Sequence, residues 1–342
     1  MQKDLNRILI IQTAFIGDVI LATPLIEALS EKFPDAKIDF ILRKGNENLL
    51  RNHPKLNALI VWDKKRKYQS LFEIIKSVNK KGKYDLLINL QRFFSTGLMS
   101  ALIHADFKIG FDKNPLSFFM GATIKHEIGN SRHEVQRNLK LLVPLGITDT
   151  DQFKVRLYPG KDDLEKVKDY LLNESYITIS PASVWYTKQL TKEKWIGLID
   201  SLPGEISIYL LGGPDDLKIC NEIKSKVNRR NIVSFAGQTS FLQTAVLMKH
   251  AVLNYTNDSA PMHIASSQNA KTCAVFCSTV PEFGFGPLSE FNRIVQVNGL
   301  ECKPCGLHGF RACPKGHFRC AKDLEIKNLL NAYYDALNFN FE

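Results

Sequence analysis

The hydrophobic positions of this chain fall into short aliphatic runs separated by stretches with helical spacing. Residues 7–12 form the first run, which leads through Thr13-Ala14-Phe15-Ile16-Gly17-Asp18 into Val19, Leu21, Leu25, Ile26 and Leu29 at helical intervals. This is strand, loop and helix, the opening of a doubly wound α/β unit. Residues 37–42, 58–62 and 84–90 are the next strand candidates. Continuous aliphatic strands alternating with helices predict a parallel sheet. The alternation restarts after Tyr158-Pro159-Gly160, where residues 161–168 lead a helix and strand candidates follow at 176–180, 207–211, 231–235, 251–255 and 272–277. Two α/β domains are therefore expected, 1–158 and 159–342, with a ligand cleft between them.

In an open parallel sheet, ligands bind outside the carboxyl ends of the strands. Three strand ends here carry small or polar residues: Ser180-Pro181-Ala182-Ser183, Gly212-Gly213-Pro214-Asp215 and Thr256-Asn257-Asp258-Ser259. These loops are expected to converge on one site. The segment Asn257-Asp258-Ser259-Ala260-Pro261-Met262-His263 joins a strand end to a helix predicted over 261–268. Free amide groups at a helix start bind phosphate oxygens, Ser259 adds a hydroxyl, and Pro261 at the first turn surrenders no needed donor. An Asp-Ser pair at a helix start is equally suited to capping it, and both roles stay open.

The composition, 44% hydrophobic and 23% charged, is that of an ordinary globular protein. The charge of +10 is unevenly placed: residues 1–160 hold 25 Lys and Arg against 16 Asp and Glu, whereas residues 161–342 hold 20 against 19. A basic first half predicts an acidic partner, whether nucleic acid, anionic lipid or phosphorylated glycan. Its densest runs, Lys64-Lys65-Arg66-Lys67 and Lys80-Lys81 with Lys83, also suit solvated loops and helix ends. The apolar stretch 8–16 is interrupted by Gly17-Asp18 and lacks a cleavage site, and no run approaches the roughly 18 apolar residues of a membrane span. A cytoplasmic protein with at most peripheral membrane contact is expected. Of seven cysteines, Cys302, Cys305, Cys313 and Cys320 cluster with His308 and His317. The cluster suits either a structural zinc site or free, redox-labile thiols, although only Cys302 and Cys305 have zinc-ribbon spacing. Cys220, Cys273 and Cys277 read as small apolar residues.

Four motifs occur in a telling order: Ile16-Gly17-Asp18-Val19-Ile20 leading to Thr23-Pro24-Leu25, Pro181-Ala182-Ser183 with Lys188 and Trp195, Gly212-Gly213-Pro214-Asp215-Asp216, and the 257–263 segment. On these residues the chain resembles the ADP-heptose:lipopolysaccharide heptosyltransferases, from residue 8 to about 320. The resemblance implies a GT-B glycosyltransferase, built of two Rossmann-like domains, with the acceptor on the first and the nucleotide sugar on the second. It further implies inverting transfer of heptose from ADP-heptose to a Kdo or heptose of the lipopolysaccharide inner core, at the inner-membrane surface, with no catalytic metal.

Carried onto this sequence, the resemblance makes Asp18 the catalytic base, although its position also suits a helix cap. Gly17 and Thr13 fall on the acceptor side. Lys188 would neutralise the leaving diphosphate, with Ser183 beside it. Gly212, Gly213, Asp215, Asp216, Asn257, Asp258, Ser259, Ala260 and His263 would hold the nucleotide sugar. Asp215 or Asp216 suits a sugar hydroxyl or a turn equally well. Ala260 departs from the family, which usually has Gly there, and would be strained if that backbone needed positive φ. The tail Cys313-Pro314-Lys315-Gly316-His317-Phe318-Arg319-Cys320 is similar to one in some members, with no role to carry over. A related transferase using another nucleotide sugar for capsule or O-chain glycan is the alternative within this architecture. A nucleic-acid-binding protein with a zinc module is disfavoured, because the basic residues lie in the half without the clustered cysteines. So is a dehydrogenase, because no Gly-X-Gly-X-X-Gly follows the first strand.

Overall fold

The computed structural model describes residues 4–129, 131–171 and 175–341. The chain divides into two compact units, Met1–Tyr158 and Pro159–Glu342. The first holds strands β1 (Arg7–Ile11), β2 (Lys37–Arg43), β3 (Ala58–Trp62), β4 (Tyr84–Asn89), β5 (Ala105–Phe111) and β6 (Ala122–Ile124), in the order β3-β2-β1-β4-β5-β6. The second holds β7 (Tyr176–Ser180), β8 (Ser207–Leu210), β9 (Ile232–Ser234), β10 (Asn254–Asn257), β11 (Thr272–Phe276) and β12 (Asn292–Gln296), in the order β12-β11-β10-β7-β8-β9. All neighbouring strands are parallel. Counted from its own first strand, each unit has the same doubly wound order. The strand order reverses between β1 and β4 and again between β7 and β10, so each unit has one switch point where a crevice opens at the strand ends.

Helices cover the sheets, which is why the central strands are aliphatic on both faces. Ile8, Leu9, Ile10 and Ile11 of β1 are all fully buried. Leu9, Ile11, Ile41, Trp62, Leu71 and Leu87 belong to one core of the first unit, and Ile177, Ile179, Trp195, Leu210, Tyr255 and Val275 to that of the second. Each such side chain contributes about 1.5–3 kcal/mol through burial. The C-terminal helix Ile326–Asn338 closes the second core, and its Leu329 carbonyl accepts the buried Tyr255 hydroxyl at 2.9 Å.

Differences from expectation have local causes. Strands β5, β6 and β12 are not among the expected runs: Asp106 and Lys108 break the first, the second is three residues long, and Arg293 interrupts the third, an edge strand. Strand β10 begins at Asn254 rather than at 251. Tertiary bonds hold Asn254 in the strand against its propensity: its Nδ2 donates to the Met248 and Lys271 carbonyls at 2.9 Å, and its Oδ1 accepts the Thr178 hydroxyl at 2.6 Å. After β1 come two helices, Ile16–Ile20 and Thr23–Lys32, so Asp18 lies within a helix and not ahead of one. No described helix is long and apolar enough to cross a membrane.

Candidate functional site

At the second unit's switch point the last residue of β10, Asn257, is fully buried. Its Nδ2 donates to the Pro181 carbonyl at 2.9 Å and the Ser180 carbonyl at 3.3 Å, and its Oδ1 accepts the Leu190 amide at 2.9 Å. A side chain so enclosed and engaged braces the loop after β7; it does not meet a nucleotide as expected. Asn257→Ala is therefore expected to cost about 2–3 kcal/mol by orphaning buried groups. Thermal unfolding checks this, and an unchanged midpoint would remove the bracing role.

The next residue, Asp258, is buried, and its Oδ2 accepts from Lys188 Nζ at 2.7 Å and from the Thr279 hydroxyl at 2.6 Å. Lys188 ends a short 3₁₀ turn, Tyr186–Lys188, which is fixed from an unexpected direction. The Thr187 amide donates to the Phe310 carbonyl at 3.1 Å, the Phe310 amide donates back to the Thr187 hydroxyl at 2.7 Å, and the Ser278 hydroxyl donates to the same oxygen at 3.0 Å. Behind them Gly309 has φ +78°, and a Cβ there would lie 3.0 Å from Lys188 Cγ. The segment singled out for its cysteines thus helps to set the position of Lys188. Gly309→Ala combines left-handed strain with that contact, about 1 kcal/mol, so the donor KM should rise about fivefold. Steady-state kinetics and calorimetric titration with ADP measure this shift, and an unaltered donor KM would separate Gly309 from Lys188.

Ser259 has an extended backbone and precedes the helix Ala260–Ser267 without capping it; its hydroxyl donates instead to the Asn257 carbonyl at 3.4 Å. With Asp258 committed to Lys188 and Thr279, neither side chain of the pair takes the capping role. Pro261 has no amide and the Met262 amide donates to the Ser259 carbonyl at 3.1 Å, so the amides at 259 and 260 are the ones a phosphate would meet. Ala260 opens the helix with ordinary backbone, since the described non-glycine residues at positive φ are Ser131, Asn269 and Phe318. The strain that a glycine position would impose is absent. His263, one helical turn past Ser259, is buried.

After β8, the Gly213 amide donates to Asp216 Oδ2 at 2.8 Å, and a Cβ on Gly212 would lie 2.7 Å from the Asp216 Cβ. Burial, with a smaller push from Asp215, raises the Asp216 pKa against the Gly213 hydrogen bond. Asp216 is the turn carboxylate, whereas Asp215 is exposed beside it. Ser183 is half-buried, with its carbonyl accepting Gln189 Nε2 at 2.6 Å. A pocket of about 520 Å³ nearby is lined by Ala182, Tyr186, Leu190, Asp215, Ile219 and Phe318 among others, but by neither Lys188 nor Asp258.

In the first unit Asp18 is half-buried, and its Oδ2 reaches back to accept the Phe15 amide at 3.2 Å. Burial and the Glu134 carboxylate push its pKa up to about 6, against the Phe15 and Asp18 amides and Arg92. Glu134 in turn accepts Arg137 Nε at 2.6 Å. Gly17 is half-buried beside Asp18, but Thr13 is fully buried, so it shapes the loop from beneath and does not face an acceptor. Its carbonyl accepts Lys64 Nζ at 2.6 Å, which gives one lysine of the basic run a fixed place. Glu134, Arg92 and Lys64 were invisible as site residues, because no sequence spacing relates them to position 18. At the strand ends of β1 and β4, the buried Gln12, Asn89 and Gln91 form a chain: Gln91 Nε2 donates to Gln12 Oε1, and the Gln91 amide donates to Asn89 Oδ1 at 2.9 Å.

The expected zinc ligands are not drawn to one point. The Cys305 thiol donates to the Cys302 carbonyl at 3.1 Å, Cys302 Sγ lies 3.8 Å from His317 Nε2, and Cys320 is buried in the apolar core. Burial and the neighbouring thiols push the Cys320 pKa up to about 11. Among the described residues no group of three or more His, Cys, Asp or Glu side chains is arranged to hold a metal.

Two parallel units of one doubly wound order, each with a switch-point site, are the architecture of the GT-B glycosyltransferases. The chain belongs to glycosyltransferase family 9 (heptosyltransferase), which it matches over residues 71–310. It is 32% identical over 285 residues to lipopolysaccharide heptosyltransferase 3 of Escherichia coli strain K12, covering 77% of this chain and 80% of that protein. Among solved structures it is similar to the family 9 glycosyl transferase of Veillonella parvula DSM 2008, with a TM-score of 0.87, 24% identity and 99% of both chains covered. The E. coli ADP-heptose lps heptosyltransferase II gives a TM-score of 0.80 at 20% identity, with 97% of this chain and 98% of that one covered. The protein is a glycosyltransferase, in the family that the four sequence motifs pointed to.

Proposed function

We propose that the protein transfers heptose, with inversion, from ADP-heptose to a Kdo or heptose of the lipopolysaccharide inner core, in the cytoplasm at the inner-membrane face. The observation that carries this is Lys188 held by Asp258 beside an uncapped helix start at a switch point, a seat where a diphosphate can take the lysine from its carboxylate partner. The names of the similar proteins supply the sugar and the acceptor class. In this reading residues 159–342 hold the donor and residues 1–158 the acceptor.

The chemistry follows from the charges. Asp18 takes the proton of the acceptor hydroxyl as that oxygen bonds to the anomeric carbon, and the anomeric bond to the diphosphate breaks on the opposite face, releasing ADP. A carboxylate titrating near 6 is ionised at neutral pH yet more basic than an ordinary Asp. Lys188, the amides at 259–260 and the Ser259 and Ser183 hydroxyls offset the charge gathering on the diphosphate, and no metal is needed for that. Gly212 and Gly213 let the backbone approach the donor, His263 lies one turn further along the phosphate helix, and Asp215 is the carboxylate available to a ribose or heptose hydroxyl.

Zinc at the cysteine segment would use Cys302 and His317, whose 3.8 Å separation suits neighbouring ligands of one tetrahedral ion with bonds of about 2.3 and 2.0 Å. Cys305 and Cys313 would have to turn toward it. Metal analysis of the purified protein decides between stoichiometric zinc and bare thiols. The transfer itself is tested by incubating the protein with ADP-heptose and defined truncated lipopolysaccharides and reading the products by mass. An added heptose supports the proposal; binding of a UDP- or GDP-sugar in place of ADP-heptose would overturn the donor.

A further inference from the structure

The loop between β1 and the helix Ile16–Ile20 sets where the Asp18 carboxylate lies, because Asp18 Oδ2 accepts the Phe15 amide at 3.2 Å. The peptide groups of this loop are tied from three other strand ends. The Ala14 amide donates to Gln12 Oε1 at 3.2 Å, and Gln91, after β4, donates to the same oxygen. Asn46, after β2, donates from Nδ2 to the Ala14 carbonyl at 3.1 Å. Lys64, after β3, donates from Nζ to the Thr13 carbonyl at 2.6 Å.

Gln12, Asn46 and Gln91 are buried, neutral braces. Lys64 is of another kind. It belongs to an exposed turn, Lys64–Arg66, yet its ammonium folds back onto the fully buried Thr13 and lies 5.0 Å from the centroid of the buried Trp62 ring. An ammonium is strongly hydrated, so it leaves water for a fixed partner only where the contact compensates. A hydrogen bond from a charged donor is also about twice as strong as a neutral one.

The second feature of Lys64 is its charge. Burial and Arg43 lower its pKa and Asp18 raises it, so ammonium and carboxylate act on each other. The other charges acting on that carboxylate are Glu134, itself paired with Arg137, and Arg92 in the loop after β4. Beside Lys64 stand Arg43 at the end of β2 and Asp63, whose Oδ2 already accepts from Lys44 Nζ at 3.1 Å.

We propose that Lys64 is a positioning residue for the transfer: it fastens the loop that presents Asp18, and its charge keeps that carboxylate ionised against the neighbouring Glu134. The proposal rests on Asp18 being the base.

Lys64→Met keeps the stem and removes both donor and charge, whereas Lys64→Arg retains them. With ADP-heptose and a truncated lipopolysaccharide that accepts heptose, Lys64→Met should lose about tenfold in kcat while ADP binding stays unchanged. The pH midpoint of kcat/KM should move up by about half a pH unit, because a carboxylate deprived of its cation ionises later. Lys64→Arg should return the midpoint and most of kcat. Thermal unfolding supplies a second readout that needs no acceptor. The melting advantage of Asp18→Asn should level off at a higher pH in the Lys64→Met background than in the wild-type one. A wild-type midpoint in Lys64→Met by both readouts overturns the proposal whatever its melting temperature, since a merely structural tie lowers stability without moving a titration. Wild-type turnover in Asp18→Asn strikes the base, and this proposal with it. Absence of transfer to any acceptor strikes the transferase reading, and the unfolding profiles still decide whether Lys64 and Asp18 are coupled.

Discussion

Replacing Asp18 by Asn should cut transfer by orders of magnitude and at the same time make the protein more stable above pH 6. The loss in kcat should be about 10³-fold, within the span of a general base, while ADP binding persists because Lys188 and Asp258 are untouched. The stability gain follows from the raised proton affinity. The folded carboxyl titrates near 6 and the unfolded one near the ordinary 3.8. Below that lower value both states are protonated and burial of Asp18 carries no ionic cost. As pH rises toward 6 the unfolded chain ionises first and wild-type stability falls, and above 6 the loss is complete. An amide never ionises, so the melting advantage of Asp18→Asn should grow between pH 4 and 6 and then level off. Wild-type kcat/KM should rise through a midpoint near 6. A flat activity profile between pH 5 and 8, or wild-type turnover in the variant, would remove Asp18 as the base.

The second large effect concerns the Lys188–Asp258 pair. Lys188→Ala leaves a buried carboxylate whose remaining described partner is the Thr279 hydroxyl, and breaking one side of a buried pair costs about 3–5 kcal/mol. Removing the ammonium should also weaken ADP binding about 10–100-fold, the worth of a charge-assisted hydrogen bond. Lys188→Met combined with Asp258→Asn removes both charges, so most of the lost stability should return while transfer stays absent. Denaturant unfolding of the two single variants and the double forms the cycle that isolates the pair. A double variant as unstable as Lys188→Ala would place the cost elsewhere. A diphosphate entering this seat competes with Asp258 for Lys188, so saturating ADP should protect the wild type more than either single variant.

Much of the fold was legible because buried parallel strands leave uninterrupted aliphatic runs. Strands β3 and β7 coincide with the runs 58–62 and 176–180. Strand β5 was missed because charged residues interrupt it, and β12 because it lies at a sheet edge. In the candidate site, motif order singled out loops at the strand ends but not what each side chain does in them. Asn257 looked like a ligand contact and is a brace; Asp215 and Asp216 looked alike, and a single amide, that of Gly213, separates them. Thr13 sat in the expected loop but is closed off from its outer surface.

The sequence by itself determined two parallel α/β units, the strand ends that close in small and polar residues, and the family. Those features depend on the period of apolar positions and on residues adjacent in the chain, which local backbone geometry dictates. Only the tertiary structure decided that Asp258 holds Lys188, that Gly309 and Phe310 stand behind it, that Glu134 raises the Asp18 pKa, and that Lys64 reaches the Thr13 carbonyl. Each joins groups well separated in the chain, brought together by strand order. Hydrogen-bond partners and proton affinities depend on that proximity, and no local pattern records it.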